Sequence, residues 1–121
     1  MNIGKTGRNG EDRVAAFLRR QGWGVVKRNY QCRYGEIDII AENNEYILFV
    51  EVKTRKEGSM ISGGDAVDVH KQRRIMLTAQ DYMSKTKSTL QPRFDVAEVT
   101  VSQKEDGGEG FKLNYFENAF G

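Results

Sequence analysis

The chain has 121 residues, of which 38% are hydrophobic and 30% charged, so it has the size of one domain that buries a core without disulfides or structural metals. No apolar stretch approaches the roughly 18 residues of a membrane span, which argues against an integral membrane protein. The formal net charge of +2 is by itself weak evidence for a nucleic-acid partner. We therefore expect a single soluble domain over residues 1–121.

The N-terminal segment, MNIGKTGRNGEDR, lacks the apolar core of a signal peptide. The single cysteine, Cys32, cannot form a disulfide within the chain. Both features predict a cytoplasmic protein.

The first predicted elements are a helix and three strands. Val14, Phe17 and Leu18 form the i, i+3, i+4 stripe of an amphipathic helix from about Gly4 to Gln21, and glycines follow it. Strand-like pieces occupy residues 23–30, 35–41 and 46–53. The turn ENNE joins the last two pieces, which predicts a hairpin.

The second half of the chain contains one more helix and two more strands. Apolar residues recur at helical spacing over residues 66–84, after a loose segment at 56–65. Strands are predicted at residues 93–101 and 111–116, on either side of a Gly-rich turn. The order α-β-β-β-α-β-β predicts an α/β fold with a central mixed sheet of about five strands flanked by helices.

Charged residues occur where the predicted strands should be buried. The strand YILFVEVK is apolar on both faces until it reaches Glu51 and Lys53, which share one face. Asp38 lies among isoleucines in the neighbouring strand GEIDIIA. Because the hairpin makes these strands antiparallel neighbours, Asp38 should lie near the level of Val50 and Glu51.

A third carboxylate comes from the first helix, where Glu11 lies on the inward stripe with Val14 and Leu18. Carboxylates gathered in a partly dry pocket repel one another unless a cation neutralises them. A hard divalent ion, Mg²⁺ or Mn²⁺, binds through oxygen ligands alone. With one His and one Cys in the chain, a zinc site is disfavoured.

A simpler interpretation remains open at these positions. Glu51 and Lys53 could form a surface salt bridge of small energy, and Asp38 could cap a turn. Glu36, which shares the predicted strand face of Asp38, is a candidate for a supporting role near the site.

Basic residues occur in small groups that could neutralise phosphates if the fold brings them together. Two of these groups flank the segment at 56–65 and are Arg55 with Lys56, and Lys71 with Arg73 and Arg74. Solvated surface is the alternative interpretation of each group taken alone.

An acid on the first helix, followed by Asp and Glu-x-Lys on adjacent strands, resembles the PD-(D/E)xK nuclease superfamily, whose restriction-endonuclease-like fold includes Holliday-junction resolvases. Nearly the whole chain is also similar to the YraN-like family of small bacterial proteins, described only as uncharacterised or predicted endonucleases. The stretches that carry this resemblance are GRNGEDRVAAFLRRQGW, RNYQCRYGEIDIIA, FVEVKTR, DAVDVHKQRRI, RFDVAEV and ENAF.

The resemblance implies a divalent-metal-dependent endonuclease, a phosphodiester hydrolase acting on DNA that is branched or otherwise structured. It makes Asp38 and Glu51 the metal-binding carboxylates, with the backbone carbonyl of Val52 as an extra ligand. Lys53 would orient the attacking water or offset charge on the phosphate, and Glu11 would support the metal. Symmetrical cutting of a junction would also require a homodimer.

The resemblance also implies contacts to DNA phosphates from the second helix, through Lys71, Arg73 and Arg74. Two other hypotheses compete with a nuclease. The chain could be a non-catalytic nucleic-acid-binding or adaptor module on a nuclease scaffold. It could also use its carboxylates to hold the arginines of a protein partner.

Overall fold

The computed structural model describes the backbone of residues 3–58 and 67–121 and the side chains of residues 9–58 and 67–121. The elements are α1 (Ile3–Arg20), β1 (Gly24–Cys32), β2 (Gly35–Glu42), β3 (Tyr46–Lys56), α2 (Val69–Thr86), β4 (Gln91–Gln103) and β5 (Glu109–Phe120). The predicted α/β class and the predicted element order are confirmed.

The five strands form one mixed sheet in the order β1-β2-β3-β4-β5. Neighbouring strands are antiparallel except β3 and β4, which run parallel along their length. Parallel neighbours need a crossover connection, and α2 lies in that connection. The predicted hairpin between β2 and β3 is confirmed, with Ile39 opposite Val50 and Glu42 opposite Ile47.

Strand β3 is the centre of the core because it is buried on both faces. Leu48 and Val50 pack with the Val14, Ala15 and Leu18 side chains of α1, whereas Ile47 and Phe49 pack with α2 residues on the opposite face. Side chains alternate between the two faces of a strand, so two helices are needed to cover this apolar run. Each helix therefore lies on its own side of the sheet.

Helix α1 ends as its glycines predict. The Gly22 amide donates to the Arg19 carbonyl and the Trp23 amide to the Leu18 carbonyl, both at 3.0 Å. This pair of bonds closes a Schellman motif, and Gly22 has the positive φ of 96° that the motif requires.

Helix α2 begins at Val69, where Asp68 is the N-cap and accepts a hydrogen bond from the Lys71 amide at 2.9 Å. The predicted start at Ala66 lies outside the described residues, as does most of the predicted loose segment at 56–65. The helix ends at Thr86, slightly later than predicted, and Lys87 follows it in the left-handed conformation. Neither helix, in the part of the chain described, is long and apolar enough to cross a membrane.

The last two strands are longer than predicted. Strand β4 already begins at Gln91, and its second residue, Pro92, pairs with Ile47 of β3. Proline is tolerated near the first residue of a strand because one missing amide donor costs little there. Strand β5 continues to Phe120 through an irregularity at Asn118, whose φ is 49° and whose amide donates to Asp95 at 2.9 Å.

Candidate functional site

The alternation of side chains between the two faces of strand β2 is interrupted at Asp38, the residue at the centre of the candidate site. Ile37 packs in the cluster on the α2 side of the sheet, whereas Ile39 packs in the cluster on the α1 side. Regular alternation would put both on one face. Asn29 lies at the matching level of β1, between the Tyr30–Ile37 and Arg28–Ile39 pairs, and has a positive φ of 53°. Asp38 consequently borders hollows on both sides of the sheet.

The Asp38 carboxylate is tied to the neighbouring strand. Its Oδ2 atom accepts a hydrogen bond of 2.7 Å from the Val52 amide. Burial, followed by the negative charge of Glu51, raises the pKa of Asp38 to about 7, although the Val52 hydrogen bond acts in the opposite direction. The two strand carboxylates are therefore close enough to repel each other, as the hairpin register predicted.

Glu51 is the second carboxylate, and its residue surface is only 8% exposed. Its Oε1 atom lies 2.7 Å from the Lys71 Nζ atom of α2. Both side chains line a hollow of about 310 Å³, together with Asp38 and Arg74. The hollow on the α2 side of the sheet thus combines carboxylates from two strands with cations from one helix.

Glu11 points inward as predicted, with a side chain only 12% exposed. Gly10 allows α1 to approach β3 closely beside Glu11, because any Cβ atom at Gly10 would overlap the Thr54 Oγ1 atom of β3. Glu11 Oε1 accepts hydrogen bonds from Arg28 Nε at 3.0 Å and Asn29 Nδ2 at 3.1 Å. Glu11 therefore holds β1 beside Asp38, and its charge adds to the raised pKa of Asp38.

A larger hollow of about 1000 Å³ lies on the α1 side of Asp38 and also contains Glu11. Among the described residues, five carboxylates line it against two cations, which are Arg55 and Lys56. The Arg55 Nε atom is buried with no hydrogen-bond partner among the described residues. The described lining of this hollow is therefore less favourable for a DNA backbone than the α2 side, where Lys71 and Arg74 lie.

Lys53 is half-buried near the end of β3, on the strand face of Glu51. It pairs in register with Glu98 of β4, a buried residue that is 5% exposed. Glu98 is not among the site residues predicted from the sequence, although a carboxylate inside the apolar run DVAEVTV is a visible signal. Glu36 is exposed, lines both hollows and accepts a hydrogen bond from Gln31 at 2.9 Å.

The predicted phosphate-binding residues fall into two groups rather than one patch. Arg55 and Lys56 line the larger hollow, whereas Lys71 and Arg74 line the smaller one. Arg73 is exposed on α2 and lies outside both hollows. The α2 group is therefore the one that stands beside Glu51.

The donor atoms fit an open magnesium or manganese site better than a closed metal cage. Within residues 9–58 and 67–121, no group of three His, Cys, Asp or Glu side chains is arranged to hold a metal ion. Mg²⁺ commonly uses only one or two carboxylates and completes its shell with water and substrate phosphate oxygens. Asp38 and Glu51 supply that number, and the Val52 carbonyl is a further oxygen on the same strand end.

A second carboxylate missed by the sequence analysis, Asp95, has a structural role. It is fully buried and accepts hydrogen bonds from Arg93, from the Tyr115 hydroxyl and from the Asn118 amide. These bonds join β4 to the irregular part of β5. Burial of Tyr115, followed by the hydrogen bond that its hydroxyl donates to Asp95, raises the Tyr115 pKa far above its usual value.

Comparisons with known proteins identify relatives of the whole chain. Residues 10–99 match the model of a family described as uncharacterised protein family UPF0102. A UPF0102 protein of Syntrophotalea carbinolica is 42% identical over 115 residues, which cover 94% of this chain and 89% of the relative. A UPF0102 protein of Caldanaerobacter subterraneus is 38% identical over 121 residues, which cover 99% of this chain and 98% of the relative. A UPF0102 protein of Caldicellulosiruptor saccharolyticus is 36% identical over 121 residues, which cover 99% of this chain and 100% of the relative.

Proposed function

We propose that this chain, which belongs to the uncharacterised protein family UPF0102, is a divalent-metal-dependent nuclease that hydrolyses phosphodiester bonds in branched or otherwise distorted DNA. The observation that carries the proposal is the proximity of Asp38 and Glu51 just beyond the last paired level of two adjacent strands, where Ile39 faces Val50. Asp38 has a pKa raised to about 7 by burial and by Glu51, which is the signature of a carboxylate pair suited to a shared cation.

In this proposal Asp38 and Glu51 hold Mg²⁺ or Mn²⁺, and the Val52 carbonyl contributes a further oxygen. The bound ion would supply a polarised phosphate and a water of lowered pKa. The Val52 amide fixes the Asp38 carboxylate through its 2.7 Å hydrogen bond, so one oxygen is oriented by β3 itself. The same short segment of β3 therefore carries one ligand, Glu51, and positions the other.

Two further residues support this arrangement. Lys53 follows Glu51 on the same face of β3, and its proposed role is to orient a water or offset charge on the scissile phosphate. Glu11 supports the site through its hydrogen bonds to β1, which keep Asn29 and Arg28 beside Asp38.

Helix α2 supplies positive charge for the DNA backbone through Lys71, Arg73 and Arg74.

A second candidate function, a non-catalytic nucleic-acid-binding module, is favoured by one contact. Glu51 Oε1 is already paired with the Lys71 ammonium at 2.7 Å, so the carboxylate has a neutralising partner without any metal. A module of this kind would bind DNA in a salt-sensitive manner that is indifferent to metal, and it would cut no substrate.

The two candidates are separated by testing labelled duplex, single-stranded, flap and four-way-junction DNA with Mg²⁺, Mn²⁺ or chelator. The nuclease proposal expects metal-dependent cutting by the wild type, and DNA binding without cutting by Glu51→Ala. Glu45→Ala is the matched control, because Glu45 is exposed in the turn at the opposite end of β3. DNA binding without cleavage under every condition would leave the binding module as the better account.

A further inference from the structure

The ion pair between Lys71 and Glu51 joins a half-exposed side chain to a nearly buried one. The Glu51 side chain is 9% exposed, whereas the Lys71 side chain is 43% exposed, and the two atoms are 2.7 Å apart. Removing the ammonium would leave a nearly buried carboxylate next to the Asp38 carboxylate. Lys71 therefore acts as the internal counter-ion of the carboxylate pair.

The backbone of Lys71 is fixed while its charged end is able to move. The Lys71 amide donates to the side chain of the N-cap Asp68 at 2.9 Å, which anchors the first turn of α2. The ammonium lies at the end of a flexible four-carbon stem. Nearly half of the surface of the Lys71 side chain is exposed to solvent. A small rotation of this stem would carry the charge from Glu51 to a ligand at the mouth of the hollow.

We infer that Lys71 and a divalent cation compete for the Glu51 carboxylate, so that metal entry releases the Lys71 ammonium to a DNA phosphate. The inference rests on the proposed function and adds a means of regulation to the same site. A carboxylate oxygen that ligates a metal cannot keep an ammonium nitrogen at 2.7 Å without placing two positive charges side by side. The displaced ammonium is then available to a DNA phosphate at the mouth of the hollow.

This competition couples the two ligands of the protein. Metal binding raises the affinity for DNA by freeing a cation, and DNA raises the affinity for metal by the same factor, since thermodynamic coupling is reciprocal. Without DNA, the lysine keeps the carboxylate pair partly neutralised and lowers the affinity for metal. The site would therefore bind metal mainly when a DNA phosphate backbone is present.

The test is calorimetric titration of Mn²⁺ into the metal-free protein without DNA, comparing wild type, Lys71→Gln and Lys87→Gln. Lys87 is exposed at the other end of α2, about 24 Å away along the helix. This distance exceeds the Debye length of about 10 Å at 0.1 M salt. Lys71→Gln should bind Mn²⁺ at least about fivefold more tightly, because its competitor is gone, whereas Lys87→Gln should stay within about twofold of the wild type.

Fluorescence anisotropy with a four-way junction, read before cutting becomes appreciable, gives a second readout. Mn²⁺ should increase the DNA affinity of the wild type by a clearly larger factor than that of Lys71→Gln. Equal or weaker Mn²⁺ binding by Lys71→Gln, with normal binding by the wild type, would overturn the competition alone. If none of the three proteins bound Mn²⁺, the metal-dependent function would itself be overturned, so the two failures are distinguishable.

Discussion

The Asp38 carboxylate accepts a 2.7 Å hydrogen bond from the Val52 amide beyond the last paired level of β2 and β3, where Ile39 faces Val50. A side-chain bond thus continues the contact between two strands after their backbone ladder has ended. It fixes Glu51, Val52 and Lys53 relative to Asp38. The geometry of the candidate site therefore depends on this bond between a side chain and the neighbouring strand.

Asp38→Asn should stabilise the metal-free protein at high pH. The folded-state pKa of about 7 lies above the ordinary value of 3.8, so ionising Asp38 destabilises the fold progressively from about pH 4 and fully only above about pH 7. Asparagine keeps an oxygen that accepts from Val52 but carries no charge. The stability gain over wild type should increase by about 1 kcal/mol or more between pH 5 and pH 8.

Urea unfolding in the presence of a chelator measures this difference at each pH. Glu45→Gln, which removes an exposed carboxylate from the turn between β2 and β3, should show no such trend. A gain for Asp38→Asn that stayed constant from pH 5 to pH 8 would show that Asp38 titrates normally in the folded protein.

Gly10→Ala should destabilise the protein because a Cβ atom at Gly10 would overlap Thr54 Oγ1. Helix α1 would have to move away from β3, at a cost of about 1 to 3 kcal/mol. Thr54→Ala removes the overlapping oxygen, so the double variant should recover most of the loss. Thermal or urea unfolding of the four proteins in this cycle measures the coupling. Additive effects of the two changes would mean that the close approach is not what limits residue 10.

Asp95→Ala should be among the most destabilising substitutions in the sheet. It removes a fully buried carboxylate that accepts hydrogen bonds from Arg93, Tyr115 and Asn118. Breaking a buried pair by deleting one partner costs about 3 to 5 kcal/mol. Urea unfolding beside Glu105→Ala, which alters an exposed residue of the β4–β5 turn, should show a large shift only for Asp95→Ala. Similar midpoints for both variants would refute a structural role for this cluster.

The salt dependence of DNA binding should report the α2 cations. Arg73→Gln and Arg74→Gln should each weaken binding and reduce the slope of log affinity against log salt by about one, if each side chain neutralises one phosphate. Arg19→Gln, an exposed change in the last turn of α1, serves as the control for net charge. Equal slopes for all three variants would place the DNA elsewhere on the protein.

The fold was largely predictable because its signals are local. The helical stripe of α1, the glycine that ends it and the turn ENNE each depend on neighbouring residues alone. The extent of β4 and β5 was harder to predict, because Pro92 and Asn118 are locally unfavourable in strands and are held there by pairing with distant residues.

The candidate site was predictable as a set of residues but not as a geometry. Asp38 and Glu51 were selected because charges interrupt apolar strands. The interrupted side-chain alternation of β2 at Asp38 occurs opposite Asn29 of β1, which has a positive φ. The contact between Lys71 and Glu51 depends on how α2 packs on the sheet. Contacts between residues so far apart in the chain leave no pattern in local spacing, so only the structure reveals them.

The most direct test of the account is the single-turnover cleavage rate of a labelled four-way junction in Mn²⁺, for wild type, Asp38→Asn and Glu45→Gln. The account predicts that wild type and Glu45→Gln cut at similar rates and stop when chelator is added. Asp38→Asn should cut at least about a hundredfold more slowly, despite its greater stability at high pH. Cutting by Asp38→Asn at the wild-type rate, or an intact junction with the wild-type protein in Mn²⁺, would contradict the account.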